Sequence, residues 1–308
     1  MSPSLIFAAA LVLATPVLLA ALGELLAERA GVLNLGVEGT MLIGAVSGFG
    51  ATQISGSVWL GIAAAFTAAA AFGALFAFLV VGLKLNQIVT GLAFTLLGGG
   101  LSAFFGKPFV GQAPVATVPK VDFGALAELP WIGKAFFSHD ILVYLALLLT
   151  LLIALFISRT RPGLILKALG DSPEVVDALG LPVTAMRYGY VIAGAALAGL
   201  GGAYLSLAFT PSWIENMTAG RGWIAIALVI FATWRPWWLL GGALMFGSVD
   251  ALRFRAQVSG QSLIDPHFLN MLPYIATLVV LALVSQSTLR RRLGAPASLA
   301  IAYEREQR

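Results

Sequence analysis

The side chains with chemistry to offer are few and unusually placed. In "AGVLNLGVEGTMLIGAVSG", Ala30 to Gly48, Asn34 and Glu38 stand four residues apart with Gly36 and Gly39 beside them and apolar residues downstream. An ionised carboxylate near the bilayer centre costs roughly 2.5–3.5 kcal/mol on insertion scales, so such a group faces protein or water. Three readings are open for Glu38: a cap satisfying backbone donors where the chain breaks, the lining of a translocation pathway, and a proton relay; the first two are compatible. Asn86, Gln87 and Thr90 in "NQIVTG" either wall a cavity or hydrogen-bond a neighbouring helix. "PSWIENMTAGRGW", Pro211 to Trp223, supplies Trp213, Asn216 and Arg221, and its tryptophans suit an interfacial belt. Asn270 opens a later span, and Asp250 pairs by default with Arg253.

Other chemistries lack their residues. The chain has no cysteine and only His139 and His267, which excludes disulfides, thiolate metal sites and histidine-rich centres. "GLSAFFGKP", Gly100 to Pro108, has the wrong glycine spacing for a phosphate loop and proline where Ser or Thr is required. Any energy source therefore lies on a partner. The net charge of +4 comes from Lys and Arg spread between apolar stretches, which fits membrane orientation better than nucleic-acid binding.

The elements that position these residues are membrane spans. With 308 residues, 59% apolar and 10% charged, and mean hydropathy +0.95, the chain reads as an all-α polytopic membrane protein. Nine spans are expected: Ser4–Leu22, Gly36–Thr52, Val58–Gly82, Gln87–Gly106, Asp140–Ile157, Tyr188–Phe209, Gly222–Trp234, Trp237–Leu252 and Phe268–Ser285. The first has no basic residue before it and reads as a retained span rather than a cleaved signal. An outside N-terminus and a cytoplasmic C-terminus put twelve of the eighteen Lys and Arg residues inside, among them Arg29, Lys84, Arg187 and Arg235. The expected permease domain, residues 1–290, then has an external loop at 107–139 with a small amphipathic helix, a cytoplasmic loop at 158–187, and a cytoplasmic tail at 291–308. The cytoplasmic loop holds "DSPEVVDALG", with Ser172 as N-cap, Pro173 at the first helical position, Glu174 in the first turn and Gly180 just past the end.

A faint internal repeat accompanies this topology. "EGTMLIGAVSG" at Glu38 aligns with "RGWIAIALVIF" at Arg221, and Leu85-Asn86 with Leu269-Asn270. The charge distribution independently makes spans 1–4 and 6–9 opposite in direction, with span 5 as connector. Inverted halves whose interrupted helices meet near mid-membrane are a common transporter plan.

Together "GVLNLGVEGTMLIGA", "LNQIVTGL", "RPGLILKALGDSPEVVDALG" and "TAGRGWIAIALVIF" resemble the permeases of ATP-binding-cassette importers. The branch is that of ribose and branched-chain amino acid permeases, and the sub-branch takes up nucleosides or simple sugars. The resemblance implies a multi-pass subunit of the bacterial cytoplasmic (inner) membrane without catalytic residues, metal or cofactor. Its partners would be a second, similar permease in a heterodimer, a cytoplasmic ATPase and an extracytoplasmic substrate-binding protein. The coupling helix to the ATPase would be Ser172–Leu179, with Gly170, Asp171, Ser172, Pro173, Glu174 and Gly180 at the contact. The expected pathway residues are Asn34, Glu38, Asn86, Gln87, Thr90, Trp213, Asn216, Arg221 and Asn270. One departure is visible: where the family carries Phe-Gly before the turn between spans 7 and 8, this chain has Phe231-Ala232-Thr233-Trp234. A proton-coupled secondary transporter using Glu38 or Asp250 is the alternative from another class, and a membrane subunit without a pathway is a third.

Overall fold

The computed structural model describes residues 3–129, 132–258, 271, 275 and 294–304. Among these the chain is all helical, without strands, and isolated bridges join Val110 to Trp213 and Lys120 to Asp140. Helices α1 (Pro3–Arg29), α2 (Val37–Ser55), α3 (Val58–Ala77, prolonged by a π turn at Phe78–Gly82) and α4 (Gln87–Gly106) come first. The segment after them holds 3-10 turns at Lys107–Phe109 and Gly124–Glu128 and the short α5 (Ile132–Phe136). Then follow α6 (Ile141–Arg159), α7 (Arg161–Asp171) and α8 (Pro173–Ala178). The chain continues with α9 (Val183–Tyr204, with a π turn at Leu205–Phe209), α10 (Arg221–Phe231) and α11 (Pro236–Val258).

Local sequence accounts for most boundaries. Asn86 accepts from the backbone N–H of Ile88 and Val89 to start α4, and Asp140 accepts from Leu142 and Val143 to start α6. Gly56, at φ +70°, closes α2 in the left-handed conformation that glycine adopts freely. Five stretches are long and apolar enough to cross a membrane: Ser4–Arg29, Val58–Gly82, Gln87–Phe109, Ile141–Arg159 and Val183–Phe209. Helices α2 and α11 stand where spans 2 and 8 were expected but are less apolar, and the expected span 7 is an α10 of 11 residues. At 1.5 Å per residue α10 reaches about 16 Å, roughly half a hydrocarbon core. The expected ninth span lies outside the described residues apart from Met271 and Ile275, which are helical.

Helix α9 is the most enclosed, with 83% of its most apolar stretch buried, against 28% for α4. Glycines let it pack this closely. A Cβ on Gly23 of α1 would run into the Gly194 carbonyl of α9, and one on Gly194 would run back into Gly23. Gly44 and Gly199 bring α2 against α9 in the same way, and Gly98 lies against Gly39 between α4 and α2. Lipid gives helices no hydrophobic reason to associate, so contact between bare backbones carries the attraction.

The loop at 158–187 and the segment 294–304 carry more structure than their local sequence shows. The loop at 158–187, expected to hold one short helix, holds two: α7 fills its first half, burying Gly163, Leu166, Leu169 and Gly170. Thr160 caps α7 by accepting from Gly163 N at 3.1 Å, a signal that "TRPG" carried in the sequence. Ser172 does occupy the residue before α8, but its side chain makes no cap hydrogen bond, because its backbone still serves α7 by donating to Ala168 O. Within the segment expected as a tail, 294–304 is packed on the helices: Ser298 is buried and donates from both its backbone N and its hydroxyl to Gly170 O.

Candidate functional site

The break between α1 and α2 organises the site. The chain leaves α1 at Arg29, turns through Gly31 at φ +85°, and re-enters a helix at Val37. Three backbone donors of the turn are taken by side chains. Gly36 N donates to Asn34 Oδ1 at 2.9 Å, Asn34 N to Glu24 Oε1 at 2.9 Å, and Leu33 N to Gln87 Oε1 at 2.8 Å. Thr95 Oγ1 completes the set by donating to Leu35 O. Thus Asn34 and Gln87, expected on a pathway, are buried here as turn-holding groups.

Glu38 does not cap its own break; it caps the start of another helix. Its Oε1 accepts from Thr218 Oγ1 at 2.5 Å and Gly220 N at 2.8 Å, and its Oε2 from Gly222 N at 2.6 Å. These are the orphan donors at the N-terminus of α10, where the helix dipole also favours a negative charge. The "TAGRG" sequence is what this needs. Thr218 supplies a hydroxyl, and Gly220 sits at φ +81°. At Gly222 a Cβ would come 2.5 Å from Glu38 Cα. The starts of α2 and α10 therefore meet on one buried carboxylate.

The remaining expected residues are not gathered there. Asn86 caps α4 at an exposed turn, while Thr90 is buried one helical turn on. Trp213 is buried, with its indole against Gly106 and its Nε1 unpartnered among the described residues, so Trp223, partly exposed, is the one of the two that fits a membrane-edge position. Asn216 is exposed at φ +54° and its carbonyl accepts from Ala219 N. Arg221 donates to Thr218 O at 3.2 Å with its guanidinium 6.0 Å from the Phe209 ring centre. Asn270 lies outside the described residues. Asp250 and Arg253 do pair, at 3.5 Å.

Sequence reasoning missed Glu24 and Glu28, both buried on α1. Glu28 Oε2 accepts from Trp234 Nε1 at 2.5 Å, in the turn between α10 and α11. That turn is the family departure. Ala232 keeps an ordinary φ of −70°, so no glycine is needed there. The unusual backbone falls instead on Thr233 and Trp234, at φ +52° and +53°. Arg29 donates to Trp234 O, and together with Glu28 it holds the turn. The i, i+4 spacing of Glu24 and Glu28 on an apolar helix was the available signal.

On α8, Pro173 and Val176 are buried, whereas Glu174, Val175 and Leu179 are exposed, and Gly180 ends the turn at φ +76°. Exposed Asp171 ends α7, and a Cβ on Gly170 would run into Arg29 O. Arg187, buried, donates to Ser298 Oγ and Ile301 O, and Ala300 N donates to Gly31 O. The segment 294–304 thus ties the end of α7 to the break before α2.

Long apolar helices crossed on glycine are the packing of a polytopic membrane protein. The chain belongs to the family described as branched-chain amino acid transport system / permease component, whose model matches residues 6–284. It is a multi-pass ABC transporter permease. It is 43% identical to a protein of Haloferax volcanii provisionally named a glucose ABC transporter permease, with 95% of each chain covered. It is 33% identical to a nucleoside ABC transporter permease of Lactococcus lactis, covering 91% of this chain and 92% of that one. A guanosine ABC transporter permease of Bacillus subtilis is also 33% identical, over 90% and 91%. No solved structure matches.

Proposed function

We propose that this chain is the membrane subunit of an importer for nucleosides in the cytoplasmic membrane, pairing with a second permease and served by an ATPase and an external binding protein. The observation that carries this reading is the shared carboxylate. Glu38 joins the starts of α2 and α10, the two elements that the internal repeat expected from the sequence would pair, and α10 is about half as long as a bilayer core is thick. Inverted halves, nine spans and an outside N-terminus are the topology that suits this meeting point. In this reading Asn34, Glu38 and Gln87 hold the wall of the pathway by fixing the break. The more open Asn216 and Arg221 offer replaceable hydrogen bonds to a hydroxyl-rich, uncharged cargo. Thr90 and Trp213 brace the wall, and Asn86 and Asn270 open equivalent spans. The face of α8 with Glu174 and Val175 docks on the ATPase, so ATP hydrolysis belongs to that partner.

The nucleoside assignment rests on the motif resemblance and on the names of two relatives. The more similar Haloferax protein favours a simple sugar as the second reading. Uptake of labelled guanosine by membrane vesicles containing the assembled complex decides between them. Uptake that unlabelled nucleosides but not glucose reduce is expected, and uptake of labelled glucose with none of guanosine would replace the nucleoside reading with the sugar one.

A further inference from the structure

A cavity of about 360 Å³ opens where the end of α1, the end of α6 and the start of α11 come together. Its walls carry three cations, Arg29, Lys167 and Arg235, together with the Ser158 hydroxyl and the ring of Trp237. Arg29 is anchored, donating to Trp234 O and Gly294 O. Among the described residues the side chains of Lys167 and Arg235 make no hydrogen bond or ion pair. Two carboxylates act on Arg29 from outside the wall: exposed Asp171, and Glu28, which is turned to the Trp234 indole. Lys167 and Arg235, with no carboxylate on the wall beside them, call for an anion.

The mouth of the cavity shows which kind. Leu148, Leu151 and Leu155 are exposed on α6 and lie with Ser158 on one stripe, at intervals of three and four residues. From Leu148 to Ser158 that stripe runs about 15 Å, the depth of one leaflet of hydrocarbon. Trp237, also exposed, lines the same cavity and is of the residue type enriched at membrane edges. An apolar track ending in a basic cavity at a span terminus matches a lipid with a charged head, whichever side of the membrane it faces.

We propose that this cavity binds the phosphate of an anionic phospholipid, with Lys167 and Arg235 pairing to the headgroup, Arg29 forming the floor and the acyl chain lying along α6. The site is independent of which solute is carried.

Thermal unfolding of the assembled complex in phosphatidylcholine nanodiscs, with phosphatidylglycerol titrated in, tests it. Phosphatidylglycerol should raise the unfolding midpoint. The double variant K167Q/R235Q should keep the same midpoint in pure phosphatidylcholine, because neither side chain holds the fold, yet need at least about tenfold more phosphatidylglycerol for the same rise. S158L, which fills the cavity and leaves the cations in place, should weaken the response as well. An unchanged response in K167Q/R235Q overturns the site. A rise produced equally by inorganic phosphate in pure phosphatidylcholine overturns the lipid as its occupant and leaves a free phosphate in its place.

Discussion

Glu38 holds three donors at once, and its substitution separates charge from shape. A hydrogen bond to a charged group contributes about 1.5–3 kcal/mol, and a buried donor left unpaired costs a comparable amount. Glu38→Gln keeps one acceptor oxygen, but its amide group must then face Thr218 and Gly220 or Gly222, all of them donors. We expect Glu38→Gln to assemble with a lower unfolding midpoint and poor transport, and Glu38→Ala to fail in assembly. Normal transport in Glu38→Gln beside an unassembled Glu38→Ala would reduce the carboxylate to a cap with no part in the pathway. At Thr233 the expectation has the opposite sign. A β-branched residue at φ +52° is strained, and the left-handed region costs a non-glycine residue roughly 1–2 kcal/mol. Thr233→Gly should therefore raise the unfolding midpoint despite the added chain entropy; a fall would show that the threonine side chain makes a contact worth more than its strain.

Helices α7 and α8 and the segment 294–304 behave as one element. Ser298 bonds to Gly170 at the end of α7 and to Arg187 near the start of α9, while Ala300 reaches Gly31 at the break before α2. A displacement of α8 would be passed through these bonds to the turn that Glu24, Asn34 and Gln87 hold. Ser298→Ala removes two side-chain bonds and should leave the complex assembled while lowering transported solute per ATP hydrolysed. Unchanged stoichiometry would make the segment a passive strap. Glu174→Lys lies on the exposed face of α8 and should likewise spare folding but abolish substrate-stimulated ATP hydrolysis. Retained stimulation in that variant would leave α8 as a connector only.

The whole molecule has no native cysteine, so its orientation is open to direct measurement. Val115 and Leu179 are exposed at 63% and 72%. With an outside N-terminus, Val115→Cys should react with an impermeant maleimide in intact cells, and Leu179→Cys only after the membrane is opened. The reverse pattern would invert the orientation, and labelling of both cysteines from one side would remove the argument for opposed halves. Ser298, though nominally in the tail, is buried and would report poorly.

Composition determined the membrane class, and apolar stretches of helix-spanning length determined the helical fold, because lipid leaves only helices or a closed barrel to satisfy the backbone and barrel strands are about half as long. Span limits were equally legible where local chemistry marks them, as at Asn86 and Asp140, whose side chains cap the helices that follow. The sequence also singled out Glu38 and "TAGRG" as unusual. It could not join them, since 180 residues separate Glu38 from Thr218 and no local rule reaches that far. Nor could it show that Glu24 and Glu28 are buried partners of two turns, or that Ser298 closes on Gly170. Those pairings follow from how closely glycine lets α1, α2 and α9 cross. Packing of distant segments, rather than local pattern, determines which donor each carboxylate meets.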